Sequence, residues 1–342
     1  MKLSKKILTL IFTFSSLLIG QSGQQFANIG NLLLTSGDTL LNCNVGYRTF
    51  GELNSDSSNV VIYPTWFAGT SEQITRLLGP NKLVDDSKYF VIAIDALANG
   101  VSTSPSNSVL QSGKSFPKIT IDDMVNSQHK MLTEHFGLKH IFAIVGGSMG
   151  SMQALQWIVT YPDFIDKAVP YVATPRRSTY DDLIMRFRKR MINSYQELGA
   201  SDSLINIMLN YTTQIFARSP EYIVENVSHD NFEAFVYDKI ENRNPSKTFT
   251  IENHLAQLGA MEDYNIYKSF NNSVLETAKN IKTKVFFILG KTDHLVNPAP
   301  ALELAKALNC KVLLLENNSG HLAVGTELKR CGKEIAVFLE TE

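Results

Sequence analysis

The chain has 342 residues, with 32 Lys and Arg against 33 Asp and Glu, and its formal net charge of -1 provides no field to gather nucleic acid. At 44% hydrophobic and 19% charged residues it has the balance of an ordinary globular protein, which excludes a disordered or fibrous chain and predicts a large buried core. The length admits one α/β unit carrying an insertion.

Lys2, Lys5 and Lys6 precede an apolar run from Ile7 to Gly20, and Gln21, Ser22 and Gly23 follow it. This reads as a secretory signal peptide over residues 1–22, which predicts an exported protein, periplasmic or secreted. The run is shorter than the roughly 20 residues that span a bilayer, so no stable membrane span is expected after cleavage. A short uncleaved anchor is the competing reading.

Short apolar runs then alternate with amphipathic stretches. VVIYP (60–64), YFVIAID (89–95), HIFAIV (140–145), KAVPYVA (167–173), KVFFILG (284–290) and KVLLLE (311–316) predict strands buried on both faces, as in a parallel sheet. Ile121 to Phe136 and Ser151 to Tyr161 predict helices between them, and the alternation argues for a doubly wound sheet covered by helices. Between about Pro175 and Asn280 the pattern is helical, and strands resume at Val285. The expected organisation is a core over 23–174, a helical cap over 175–280, and the rest of the core over 281–342. A separate helical domain is disfavoured because the sheet needs the strands that follow.

Cys43, Cys310 and Cys331 are too few and too widely spaced for a disulfide framework, so buried thiols are expected. No CxxC, dinucleotide fingerprint, P-loop or metal-ligand cluster is present, so no metal and no cofactor is implied. The expected partner is a small-molecule acyl substrate, with no nucleic acid, and a homodimer is compatible with the sequence.

The chemistry is concentrated at Gly146-Gly147-Ser148-Met149-Gly150, between the run IFAIV and the helical segment SMQALQWIVTYP. This is a G-x-S-x-G nucleophile elbow in its strand-turn-helix setting, and it points to the α/β-hydrolase fold: a mostly parallel central sheet flanked by helices, here with an inserted helical cap. The glycines are needed because side chains two residues before and after the serine would strike neighbouring strand and helix. A serine hydroxyl is a weak nucleophile until an oriented base takes its proton. Asp293, in the loop GKTDHLVNP after VFFILG, and His321, in NNSGHLA after VLLLE, follow in the order this fold uses, giving Ser148, Asp293 and His321 as the catalytic residues.

Asp263 and Asp95 are weaker candidates for the acid. Among the other histidines, His129, His135, His140, His229 and His254 lie away from the late loops, and only His294 shares that setting. The amides of Met149 and Trp66 are the expected oxyanion donors, with Phe67 as fallback and as a wall of the acyl pocket. A basic cluster of Arg176, Arg177, Arg186, Arg188, Lys189 and Arg190 opens the cap. One of these can clamp a substrate carboxylate, although such a run is more often a solvated helix face.

With YRTFGELN, TIDDMVNSQHKML and above all GGSMGSMQALQW, the chain resembles the homoserine O-acetyltransferase family. The resemblance implies that Ser148 takes an acyl group from acyl-coenzyme A and passes it to a hydroxyl acceptor. It also implies a substrate-binding arginine at the start of the cap, for which Arg188, Lys189 and Arg190 are candidates. The chain departs from the family pattern at Ser151, at Pro64 to Gly69, and at Leu322, where the family has an acid after the catalytic histidine. The leading expectation is a serine acyltransferase of this type; the alternative is an ester hydrolase, since acyl-coenzyme A is cytoplasmic and an exported enzyme would use water as acceptor. A non-catalytic binding protein on the same scaffold is the remote alternative, since it predicts a broken triad.

Overall fold

The computed structural model describes residues 20–243 and 248–341. The run Ile7 to Ile19, on which the leader reading rests, lies outside the described residues. Gly20 and Gln21, placed inside that leader by the sequence, hydrogen-bond to Gly51 O and Thr49 Oγ1 at 2.7 and 2.8 Å.

Among the described residues ten strands form in chain order: β1 (Gln25–Asn28), β2 (Leu32–Leu33), β3 (Thr39–Leu40), β4 (Asn44–Phe50), β5 (Val60–Pro64), β6 (Phe90–Ile94), β7 (Ile141–Gly147), β8 (Ile165–Tyr171), β9 (Lys284–Gly290) and β10 (Lys311–Leu315). Eight of them make one sheet in the order β1-β4-β6-β5-β7-β8-β9-β10, while β2 and β3 pair separately. From β6 to β10 every neighbour is parallel, and β4 and β1 continue one edge antiparallel. The apolar runs explain this, since β5 and β6 are buried at every residue and a parallel strand must be covered on both faces. The chain leaves β5 for β6 on one side and returns to β7 on the other, so a crevice opens beyond the ends of β5 and β7, where α/β sheets place ligands.

The helices are α1 (Ser71–Ile74), α2 (Ile121–Lys130), α3 (Met149–Thr160), α4 (Thr179–Glu197), α5 (Asp202–Ala217), α6 (Pro220–Asn226), α7 (Phe232–Val236), α8 (Ile251–Glu262), α9 (Val274–Asn280), α10 (Ala299–Leu308), α11 (Ala323–Thr326) and α12 (Leu328–Glu340). Those from α4 to α9 fall between β8 and β9. Serine or threonine starts most of them: Ser178, Ser201, Ser219, Thr250 and Ser273 each accept an amide of the first turn. At Thr120 and Ser178 an aspartate three residues on returns the bond to the cap amide. The helix expected to run to Phe136 is α-helical only to Lys130 and widens to a π turn over Met131–His135.

Two apolar layers sandwich the sheet. One includes Trp157, Ile62 and Phe287, the other Tyr63, Phe286 and Ile335. The three thiols are unbridged, and burial pushes Cys43 up to about 12 and Cys310 and Cys331 to about 11, which makes them inert. Among the described residues no helix is long and apolar enough to cross a membrane.

Candidate active site

β7 ends at Gly147, and the chain turns into α3 through Ser148, whose φ of 55° and ψ of -125° lie where only strain or glycine is usual. Close packing holds that turn. A side chain at Gly146 would put Cβ 2.4 Å from Gly150 O, and one at Gly150 would sit 2.6 Å from Pro64 O. Beside Gly147 the Tyr171 ring, hydrogen-bonded to Tyr63 at 2.7 Å, leaves no room either. Both contacts at Gly146 and Gly150 are with backbone, which cannot step aside. We expect Gly146→Ala to cost at least about 3 kcal/mol, read as a lowered urea midpoint or insolubility. Gly325→Ala, with nothing within 4 Å of its Cβ, is the control that melts like the wild type.

The structure brings Ser148, Asp293 and His321 together. His321 Nε2 lies 2.9 Å from Ser148 Oγ, and His321 Nδ1 lies 2.7 Å from Asp293 Oδ2. An ionised carboxylate only accepts, so Nδ1 carries the proton and Nε2 is left to accept from the serine hydroxyl. Asp293 is 3% exposed, and its other oxygen accepts the amides of Leu295 and Val296, each at 2.9 Å. This fixes the carboxylate plane, and with it the imidazole.

Other candidates for these parts are committed elsewhere. Asp95 accepts Ser71 N, Ser71 Oγ, Asn99 Nδ2 and Gln24 Nε2 in the core, and Asp263 pairs with Lys118 at the surface. His129 stacks on Tyr161, His135 bonds Tyr47 Oη at 2.8 Å, and His140 pairs with Asp166.

α3 has no side-chain cap, because the hydroxyl of its N-cap residue Ser148 faces His321. Met149 therefore opens the helix with an amide that no acceptor among the described residues takes, at the positive end of the dipole. Across the crevice the loop after β5 presents the amides of Trp66 and Phe67, also without an acceptor among the described residues. Their side chains part company. Phe67 lines the pocket over Ser148, while the Trp66 indole folds back over Gly69 and packs on the core.

That pocket is narrow, with a cavity volume of about 50 Å³. Its walls are mostly apolar, with Phe67, Met152, Met185, Leu258 and Leu295 among them, and α4 adds Asp181, Ile184 and Arg188 from one helical face. Arg188 is 7% exposed and has no carboxylate partner among the described residues; it donates only to Thr212 Oγ1 at 3.1 Å and Thr213 Oγ1 at 2.8 Å. Burial lowers its pKa to about 10. Arg190 does not reach the pocket. Two residues turn a helix by about 200°, so it faces solvent, and Lys189 pairs with Glu262 of α8. Arg177, also in the wall, is already paired with Asp182 at 2.9 Å. Asp181 is the one acid among the described residues of the wall, and its oxygens accept Ser178 N at 2.8 Å and Asn297 N at 3.0 Å. Burial raises its pKa.

A family model described as alpha/beta hydrolase fold matches residues 59–196. A probable esterase of Corynebacterium glutamicum is 38% identical over 164 residues, 47% of this chain and 47% of that protein, so the match spans about half of that relative's length. A homoserine O-acetyltransferase of Methanohalobium evestigatum is 30% identical over 339 residues, 85% of this chain and 67% of that protein. The chain belongs to the homoserine O-acetyltransferase-like family of the α/β-hydrolase superfamily. The solved structure of acetyl esterase MekB matches with a TM-score of 0.85 at 26% identity, covering 93% of this chain and 97% of that one. The chain is thus similar both to proteins named as transferases and to proteins named as esterases.

Sequence reasoning missed the residues that hold the loop after β5. Gln153 Nε2 donates to Thr65 O at 3.0 Å and is itself gripped by Gln128, which accepts Trp157 Nε1. Gln153 stands inside the GGSMGSMQALQW string, so a signal was present. Gln257 of α8, which accepts the Ala68 amide at 2.9 Å, sits in no motif.

Proposed function

We propose that the protein is a carboxylic-ester hydrolase that works through an acyl-enzyme on Ser148 and uses water as acceptor. The observation that carries this is the state of the pocket's charges. Arg188 has no carboxylate partner among the described residues and can take one, whereas Asp181, the acid in the same wall, is 4% exposed and already accepts a backbone amide at each oxygen. A zwitterionic acceptor such as homoserine would have to share that buried carboxylate with two backbone amides to pair its ammonium, whereas water needs no such partner. Leu322, in place of the family's acid after the histidine, points the same way. The basic and apolar N-terminus supports export, away from acyl-coenzyme A.

The chemistry follows from the hydrogen bonds. His321 Nε2 removes the Ser148 proton as Oγ bonds the ester carbonyl carbon, and Asp293 stabilises the imidazolium. The carbonyl oxygen becomes an oxyanion at the amide of Met149 and an amide of Trp66 or Phe67. Collapse breaks the bond to the leaving alkoxide, which takes the proton from His321. Water repeats the sequence on the acyl-enzyme and releases the acid. Transfer to a hydroxyl acceptor is the second reading, favoured by the transferase relative that matches 85% of the chain.

The two readings share every step up to the acyl-enzyme. With p-nitrophenyl acetate plus L-homoserine, and the Ser148→Ala variant as blank, acetate is the expected product. O-acetylhomoserine as the main product would reassign the enzyme as a transferase.

A further inference from the structure

The geometry points to Gln257 as a positioning residue through which the helical insertion sets the oxyanion loop; this rests on the acyl-enzyme reading above. The loop from Thr65 to Thr70 carries the second amide for the oxyanion, and an amide aimed away from the position the oxyanion takes makes a weaker bond to it. Beyond the local bond from Thr70 N to Gln73 Oε1 at 3.2 Å, three side chains hold its backbone, each from a different part of the fold. Gln153 of α3 takes Thr65 O, Asn99 donates to Gly69 O at 3.0 Å, and Gln257 of α8 accepts from Ala68 N. The last of these reaches across from the insertion.

Gln257 is wholly buried, and both ends of its amide are used: Oε1 on Ala68 N, and Nε2 on Leu97 O at 3.1 Å in the loop after β6. It thereby ties the ends of β5 and β6 together. By engaging the Ala68 amide it leaves the two amides before it, those of Trp66 and Phe67, as the ones without an acceptor among the described residues. Ala68 sits at a φ of 58°, a conformation an alanine keeps only when its surroundings hold it there.

A second set of contacts from the same insertion fixes the Phe67 side chain. Its ring meets His254 and Phe249 edge-on, at centroid separations of 4.8 and 5.8 Å. His254 stays neutral in this setting, because burial and then the nearby Arg188 drive its pKa down to about 3. One turn before Gln257 on α8, the buried Asn253 accepts Ser106 N at 3.0 Å and donates to Ser106 Oγ at 2.8 Å, which anchors the helix to the core without touching the oxyanion loop. α8 is thus a template, with one residue that docks it and one that aims the loop.

The test separates aim from docking. Gln257→Met keeps the side chain's length and removes both hydrogen bonds. Its kcat for p-nitrophenyl acetate is expected to fall roughly 10- to 100-fold, with KM within about twofold. Affinity for a trifluoromethyl ketone, whose hemiketal oxygen occupies the oxyanion position, should fall by the same factor. Affinity for the matching secondary alcohol, which forms no hemiketal, should not move. Asn253→Leu is expected to lower the melting temperature and leave the ratio of ketone to alcohol affinity as it was. Should Gln257→Met yield no soluble protein, Gln257→Asn serves: it keeps a buried amide but is one methylene too short to reach Ala68 N and Leu97 O together, and its losses in kcat and ketone affinity should again run in parallel.

A folded Gln257 variant with unchanged kcat, or one whose loss appears equally in alcohol affinity, would overturn the assignment. Failure of the underlying reading looks different, since Ser148→Ala would then retain turnover and the wild type would ignore the ketone.

Discussion

Asp293→Asn is expected to lower kcat for p-nitrophenyl acetate about 10⁴-fold while leaving the fold intact. The size of the effect comes from which way the new amide must face. Asp293 Oδ1 accepts two backbone amides, from Leu295 and Val296, and an amide nitrogen cannot replace it there without setting donor against donor. The asparagine oxygen is therefore held at that position, and its NH₂ group takes the place of Oδ2 opposite His321 Nδ1. A donor facing Nδ1 forces the proton of the imidazole onto Nε2, which then points a donor at the Ser148 hydroxyl and cannot accept its proton. Ser148→Ala removes the nucleophile itself and is expected to lower kcat by about 10⁴- to 10⁶-fold, with the remainder due to binding and the oxyanion donors. Steady-state rates with p-nitrophenyl acetate, beside melting curves, check both. A loss below about tenfold for Asp293→Asn would mean that another acid orients His321.

How far the site can be read from the sequence depends on how local its signals are. Ser148, Asp293 and His321 each follow an apolar run, and in a parallel sheet the ends of such runs share one edge, so three distant residues could be placed at one crevice before any coordinates. The antiparallel edge was not legible. β4 is seven residues with glycine, arginine and threonine in it, and β1 has four, so neither carries a continuous apolar run. The choice among Arg188, Lys189 and Arg190 turned on helical phase, which is settled only when the start of α4 at Thr179 is known. Gln257 could not be found at all, because it acts on Ala68 189 residues away and a lone buried glutamine leaves no pattern in a helix.

Arg188→Met separates what the pocket recognises from what the fold tolerates, and the two effects should have opposite signs. Among the described residues this buried guanidinium has only two threonine hydroxyls as partners, which leaves its charge uncompensated. The drop of its pKa from the ordinary 12.5 to about 10, caused by burial, corresponds to roughly 3 kcal/mol of stability given up. The folded pKa lies below the unfolded one, so this penalty is present in full below about pH 10 and is relieved only as pH rises from there towards 12.5. Methionine of similar length should thus raise the melting temperature, and by the same amount at any pH between about 6 and 9. A substrate carboxylate supplies in the complex the partner that the apo pocket lacks. With the hemiester mono-p-nitrophenyl succinate, kcat/KM is therefore expected to fall roughly 10- to 100-fold in Arg188→Met, whereas p-nitrophenyl acetate, which has no second carboxylate, should be turned over at close to the wild-type rate. Equal losses on both esters would show that Arg188 shapes the pocket without reading charge. A lower melting temperature would show that Thr212 and Thr213 satisfy it more fully than their two hydrogen bonds suggest.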